Sequence, residues 1–347
     1  MRIHSLIAML GLLSLVGTAS QAQDKMPTVT AVRHAIERSL PFLERQGVAW
    51  IRERGCVSCH TVAFLPWSHN EARRRGFAVD DRKVQEWTNW SLIYLLSRKG
   101  ESDTVSQMLL GRDRASPWRQ KPPLHGKTAD PYEQLWKDVI EQQNDDGYWS
   151  PGGQLTSPAE VTTGWTLLAL ASWDSPSENL DQKLDENLSK SRGRALAWLK
   201  TAEPADSTEA LLLRLLVERA LGSPGRADEL RNQLLSRQNP DGGWGYRKDN
   251  HLSDAFATGQ SLYALSLAAL SGDHPPIQGA QRFLLRTQRE DGSWSVPTRA
   301  IHNQEASDDR LKRTDAVYQY WATGWATIGL LQTLPAVTTA DGSGNER

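Results

Sequence analysis

The feature that most constrains this chain is a seven-residue phrase that it uses three times. Gln143 to Trp149 reads QNDDGYW, Gln238 to Trp244 reads QNPDGGW and Gln288 to Trp294 reads QREDGSW, all obeying Q-x-x-D-G-x-W. The last two tryptophans stand 50 apart (294 − 244) and the first two 95 apart (244 − 149), which leaves room for a degenerate unit around Arg194 to Leu199. Recurrence of this kind marks a repeat architecture, in which each unit buries its apolar face only against its neighbours. The composition agrees. Fourteen tryptophans against five phenylalanines suit a repeated structural role for a bulky ring with one donor to satisfy.

Each phrase ends a stretch with helical apolar spacing, such as Gly279 to Leu284, and its Asp-Gly is a turn signal. A second helix follows, marked by Thr163-Gly164-Trp165, Thr258-Gly259-Gln260 and Thr323-Gly324-Trp325. Trp149 to Gly164 and Trp244 to Gly259 are both 15 residues, whereas Trp294 to Gly324 is 30, so the last unit carries an insertion. The second helices are poor in charge, as in Gly259 to Leu270, while the first carry more Arg, Gln and Glu. Helices apolar on all sides are buried and amphipathic ones face water, so two concentric layers are expected, with inner helices around an axis.

These units resemble the QW repeats of squalene–hopene cyclases and of the related α/α-toroid proteins, which include the protein prenyltransferases. The resemblance covers roughly residues 130 to 335. It implies an all-α fold, an α/α-toroid or partial α/α-barrel of helix-turn-helix units, and it implies fold more than activity. The N-terminal part can be laid on the same unit: Gly47 to Ile51 matches Ala280 to Leu284, which puts Cys56 to His60 over Arg289 to Ser293. The expected organisation is an export leader over residues 1–22, an N-terminal helical region over 23–125, the repeat toroid over 126–335 and a disordered tail over 336–347. The leader is read from Arg2 and His4, the apolar run Leu6 to Val16, and small residues at Ser20 and Ala22 before a cleavage site. That apolar run is short for a membrane span of about 20 residues, so a periplasmic or secreted protein without a stable span is expected. A formal net charge of −1 argues against a nucleic-acid partner held by a basic surface.

The two cysteines of the chain form Cys56-Val-Ser-Cys59-His60, which is C-x-x-C-H. This is the attachment signature of c-type haem: two thiols on one turn add to two vinyl groups, and the next imidazole becomes the axial iron ligand. Over these five residues the chain resembles c-type cytochromes. A redox dithiol and a zinc site are alternatives, but the first belongs to a βαβ context and the second needs further ligands. A sixth iron ligand is sought among His69, Met108, His251 and His302, with His69 nearest in sequence.

The toroid could also hold chemistry of its own. Squalene–hopene cyclases protonate an alkene with an acidic D-x-D-D motif, which this sequence lacks, and the Asp, Cys and His zinc set of the prenyltransferases has no cysteine to draw on. Asp80-Asp81 and Asp308-Asp309 read as caps or loops, and Asp254 reads first as a helix-start acid. Three functions stay open: a monohaem protein exchanging electrons with a partner protein or small molecule, an enzyme with an apolar substrate in the toroid cavity, and a binding scaffold without catalysis.

Overall fold

Apolar patterning on all sides puts a helix inside, and the chain alternates such helices with amphipathic ones. The computed structural model describes residues 26–57, 61–113, 131–151, 158–172, 182–249, 251–296 and 308–335. Among the described residues there are helices and turns, with two isolated antiparallel bridges, Gln143 with Trp149 and Trp244 with Asp254. The outer helices are α1 (Val29–Arg54), α3 (Asp81–Arg98), α5 (Pro131–Glu141), α7 (Gln182–Thr201), α9 (Pro224–Ser236) and α11 (Pro275–Thr287). The inner helices are α2 (Thr61–Arg74), α4 (Ser102–Leu110), α6 (Ala159–Ala171), α8 (Thr208–Leu221), α10 (Ala255–Leu267) and α12 (Asp308–Gln332).

Each inner helix packs on the next, from α2 through α4, α6, α8 and α10 to α12, and α12 packs back on α2. The toroid is therefore a closed barrel rather than a partial one, because the N-terminal helices supply two of its six staves. Burial follows the patterning. Every residue from Glu160 to Leu170 of α6 and from Ala255 to Leu265 of α10 is buried, whereas α11 buries chiefly Ile277, Ala280, Phe283 and Leu284 on one stripe. The tightest seam joins α10 to α12. A Cβ at Gly259 would stand 2.4 Å from the carbonyl carbon of Trp325, and one at Gly329 would stand 2.4 Å from the Gly259 oxygen. Only residues without a side chain let two backbones approach so closely.

The repeated phrase ties these layers together. The indoles of Trp149, Trp244 and Trp294 are fully buried and donate to the carbonyls of Val139, Leu234 and Leu284 at 2.8, 2.8 and 2.9 Å. Those carbonyls lie in the last turn of an outer helix, where each also accepts the backbone N–H of a residue just past the helix, Gln142, Arg237 or Gln288. The same tryptophans donate their backbone N–H to Thr163, Thr258 and Thr323 at 3.1, 2.9 and 3.1 Å, which explains the threonine that precedes the inner-helix glycine. The glutamines reach forward. Gln143, Gln238 and Gln288 donate to Ser191, Pro276 and Ala35, each at 2.8 Å and each on the following outer helix. The third of these links α11 to α1 and so closes the outer layer end to end.

Stability should follow this wiring. Trp244→Ala is expected to cost about 3–5 kcal/mol through the cavity it leaves. Gly292 has φ +86°, and a Cβ there would lie 2.0 Å from the Arg38 carbonyl oxygen of α1. Gly292→Ala is therefore expected to cost at least about 2 kcal/mol. Gly193→Ala, on an exposed face of α7 with nothing within 4 Å of the added Cβ, is expected to stabilise by up to about 1 kcal/mol. Urea midpoints with unchanged slopes would measure all three, and a neutral Gly292→Ala would refute the linking role of that turn.

Candidate functional site

The inner helices start at the rim that carries the Trp turns, so the first inward residues of each stave line one mouth of the barrel. Ser207 caps α8 by accepting from Ala210 at 3.0 Å, and Asp254 caps α10 by accepting from Ala257 at 2.7 Å. This shared register makes Glu209 the counterpart of Phe256. Glu209 is buried in the barrel. Its Oε1 accepts from the indole of Trp165 on α6 at 3.0 Å and from Nε2 of Gln260 on α10 at 2.8 Å, so it spans three neighbouring staves. The other end of the Gln260 amide, Oε1, is buried without a hydrogen-bond partner.

Asp254 is 2 % exposed, and its Oδ2 also lacks a partner. Burial pushes its carboxyl up to about 7, against the backbone N–H groups of Ala257, Tyr246 and Phe256, which favour the charged form. A neutral serine does the same capping work on α8, so capping alone does not call for a carboxyl here. The Tyr246 hydroxyl is held far above its ordinary range, first by burial and then by Glu209, Tyr318 and Asp254, with Arg247 opposing. Its ring lies 5.9 Å from Phe256, which is 6.3 Å from Trp321, which is 5.3 Å from Tyr318. An acid poised to hold its proton near neutral pH thus stands in an aromatic collar.

Below this collar the axis is filled. Trp165 stacks on Trp325 at 5.2 Å, Trp67 meets Trp325 edge-on at 5.3 Å, and Tyr263 lies 5.8 Å from Trp67. The three indoles are each 1 % exposed. At the far end of the staves, arginines at and just past the end of α2 tie it to its neighbours. Arg73 pairs with Asp81 at 2.6 Å and with Asp113, and Arg75 donates to the Leu331 carbonyl and to Gln332 at 3.0 Å each. Gln332 in turn donates to Glu71 at 3.0 Å. The open chemistry is at the rim.

The residues singled out from the sequence fall differently. Gly55, with φ +58°, ends α1, and Cys56 follows it on the rim turn, half-buried. Cys59 and His60 lie outside the described residues, as do His302 and the leader. While His60 lies outside the described residues, His69, the expected second axial ligand, is placed on α2. It is the ninth residue of α2, donates Nδ1–H to the Leu65 carbonyl at 2.8 Å and sits edge-on to Trp87 of α3 at 5.1 Å. Burial lowers its basicity, against the Leu65 bond, which favours the neutral imidazole. Met108 is buried in the core and His251 is exposed. Asp80 caps α3, accepting from Arg82 at 3.0 Å, and Asp81 is the partner of Arg73. Glu209, Gln260 and Tyr246 were not singled out, because α8 lacks the full repeated phrase and its register emerges only from the two caps.

The apo structure of the type II terpene cyclase MstE from Scytonema superposes with a TM-score of 0.50 at 14 % identity, covering 87 % of this chain and 98 % of that one. The fold is the α/α-toroid of class II terpene cyclases. The ent-copalyl diphosphate synthase of Streptomyces platensis gives a TM-score of 0.47 at 18 % identity, covering 78 % of this chain and 50 % of that one. By sequence, a copalyl diphosphate synthase of Streptomyces anulatus is 38 % identical over 73 residues, which is 20 % of this chain and 13 % of that protein. No family profile matches the chain.

Within this toroid, Asp254 should leave a signature in stability. The folded chain holds its proton up to about pH 7, while the unfolded chain loses it near 4. Between those values the folded state binds more protons, so stability falls as pH rises. Asp254→Asn keeps an oxygen for Ala257 and removes the titration. The difference in unfolding free energy between variant and wild type should grow in the variant's favour from pH 4 to pH 7; a constant difference would contradict the raised acid.

Proposed function

We propose that this chain is a terpenoid-cyclase-like enzyme that protonates an apolar, unsaturated substrate at the mouth of the barrel, with Asp254 as the acid. The observation that carries this is the Asp254 carboxyl: buried, pushed up to about 7, with one oxygen unpartnered. A carboxylic acid kept neutral by an apolar site is a proton donor at physiological pH. In the step, the Asp254 O–H bond breaks and a C–H bond forms with the electron pair of an alkene, leaving a carboxylate and a carbocation. The faces of Tyr246, Phe256 and Trp321 would stabilise that cation. Loss of a proton from a neighbouring carbon to a base closes the cycle, so the reaction is an isomerisation or cyclisation that needs no co-reactant. The likeness of fold to terpene cyclases supports this reading.

The experiment is turnover of isoprenoid alkenes against pH. Activity should hold below about pH 7 and fall about tenfold per unit above it, as the acid deprotonates. Asp254→Asn should lose on the order of 10²–10⁴-fold in rate while staying folded. Full activity in that variant would remove Asp254 from the mechanism.

The rim turn favours a second reading, in which Cys56 and Cys59 hold one haem c and His60 is its axial ligand. Two observations support it: the C-x-x-C-H spelling, and the place of Cys56 on a half-exposed turn opened by a left-handed glycine. The haem would supply a redox-active iron, exchanging electrons with a partner protein or small molecule outside the cytoplasm, where the leader would send the chain. Protein made in a host that matures c-type haem should give a pyridine haemochrome spectrum, lost in Cys56→Ala/Cys59→Ala. A wild-type protein without covalent haem would end this reading and leave the Asp254 reading untouched.

A further inference from the structure

Glycines inside the helices of this protein mark close approaches. Past the first turn of a helix, Gly47, Gly164, Gly259, Gly279, Gly324 and Gly329 would each set an added Cβ within 3.0 Å of an atom in a neighbouring helix or turn. Glycine weakens a helix, and at those places the packing offsets the loss. Gly193, in the middle of α7, departs from the pattern. It is exposed, and nothing among the described residues lies within 4 Å of its added Cβ. Helix α7 thus gives up stability where no described segment of this chain comes close.

The open space beside Gly193 is a groove of about 650 Å³ on the outer wall, between the end of α5 and the middle of α7. Its lining is apolar at Ile140, Gly193 and Ala197 and supplies donors at Asn187, Lys190 and Arg194. No carboxylate belongs to that lining. Lys190 and Arg194 stand one turn apart on one helix, where like charges repel, and Lys190 has no ion-pair partner among the described residues. The rim turn fixes the helix behind them. Gln143 accepts from the Arg194 guanidinium and from the Ser191 hydroxyl at 2.8 Å, and donates to the Ser191 carbonyl at 2.8 Å. A Cβ at Gly147 would meet the Arg194 carbonyl oxygen at 2.7 Å, so turn and helix are locked together.

We propose that this groove docks an acidic α-helix of a partner protein, its backbone crossing α7 at Gly193 and its carboxylates paired with Lys190 and Arg194. The barrel already uses the device, since α10 and α12 bring backbone onto backbone at Gly259 and Gly329. A helix fits better than an extended segment, because α7 offers no free backbone edge for a strand to pair with. Charge sets the rest: a cationic lining with no acid of its own calls for carboxylates. Pairing α7 with α7 of a second copy would instead bring two sets of Lys190, Arg192 and Arg194 together. Nothing in this surface depends on the chemistry at the mouth.

The probe is a single-helix peptide library displayed on phage, with its outward positions randomised. It is selected on the full-length protein and then passed over Gly193→Leu to remove peptides that bind elsewhere. Survivors should carry Asp or Glu one turn apart. In fluorescence anisotropy they should bind the parent at least about tenfold more tightly than Gly193→Leu or Lys190→Glu, and more weakly as salt rises. Gly193→Leu should itself unfold at or above the parent's urea midpoint, since leucine is the better helix former. No survivors, survivors without enriched acids, or equal affinity for Lys190→Glu would overturn the proposal. So would a lower urea midpoint in Gly193→Leu, which would place a segment of this chain in the groove. A dimer in sedimentation that Gly193→Leu dissociates would overturn it too, making the occupant a second copy.

Discussion

A carbonyl in the last turn of a helix has a lone pair to spare, and in this protein the indole of a tryptophan ten residues onward takes it. Trp149, Trp244 and Trp294 each fold back onto the last turn of their own outer helix, at 2.8–2.9 Å. The glutamine that opens the same turn reaches forward to the next outer helix. One turn therefore fixes three things: where the outer helix stops, where the inner helix starts, and how the unit sits against its neighbour. The backbone N–H of the tryptophan, bound to a threonine of the inner helix, sets the height of that stave. Height matters because the barrel's contents are arranged in layers, and a stave out of register by one residue would turn a different side chain to the axis.

With the staves fixed, the interior divides in two. The middle is filled with aromatic rings and the far end is bound by the arginines at the end of α2, and together they do the work of a core. The near half carries the polar atoms that a core would not tolerate. One buried oxygen of a carboxyl and one of an amide, each without a partner, cost stability, and both lie on α10, one at its cap and one on its second turn. Leucine at 260 or serine at 254 would remove those costs, and serine already serves as the cap of α8. Unpaid polar groups of this kind are where a fold gives up stability for chemistry.

The layered helix-turn-helix plan was legible because its signals are local: Asp-Gly for the turn, Trp for the plug, Thr-Gly for the inner helix. His69 shows what that reasoning leaves open. Nine positions separate it from His60, close in sequence, but helix α2 carries it two turns up and turns it toward Trp87 of α3. Sequence distance says nothing about which side of a helix a residue faces once both sides are buried. Glu209 was hidden for the converse reason, since a glutamate in a helix of leucines reads as an outward residue until its neighbours are known.

By itself, the sequence determined an all-helical repeat protein in two layers, the residues that make its turns, and the C-x-x-C-H at the first of them. These follow from spacing along the chain, which local hydrogen bonds and helical periodicity translate directly into structure. Only the tertiary structure decided that the ring closes through α1 and α2, that Trp67, Trp165, Trp325 and Tyr263 meet on the axis, and that Asp254 is deprived of water. Those are contacts between staves up to some 260 residues apart in the chain, such as Phe64 on Trp325. The environment that raises the Asp254 acid is made by residues of other turns and helices closing over it, and burial of that kind is a property of the assembled barrel rather than of any segment.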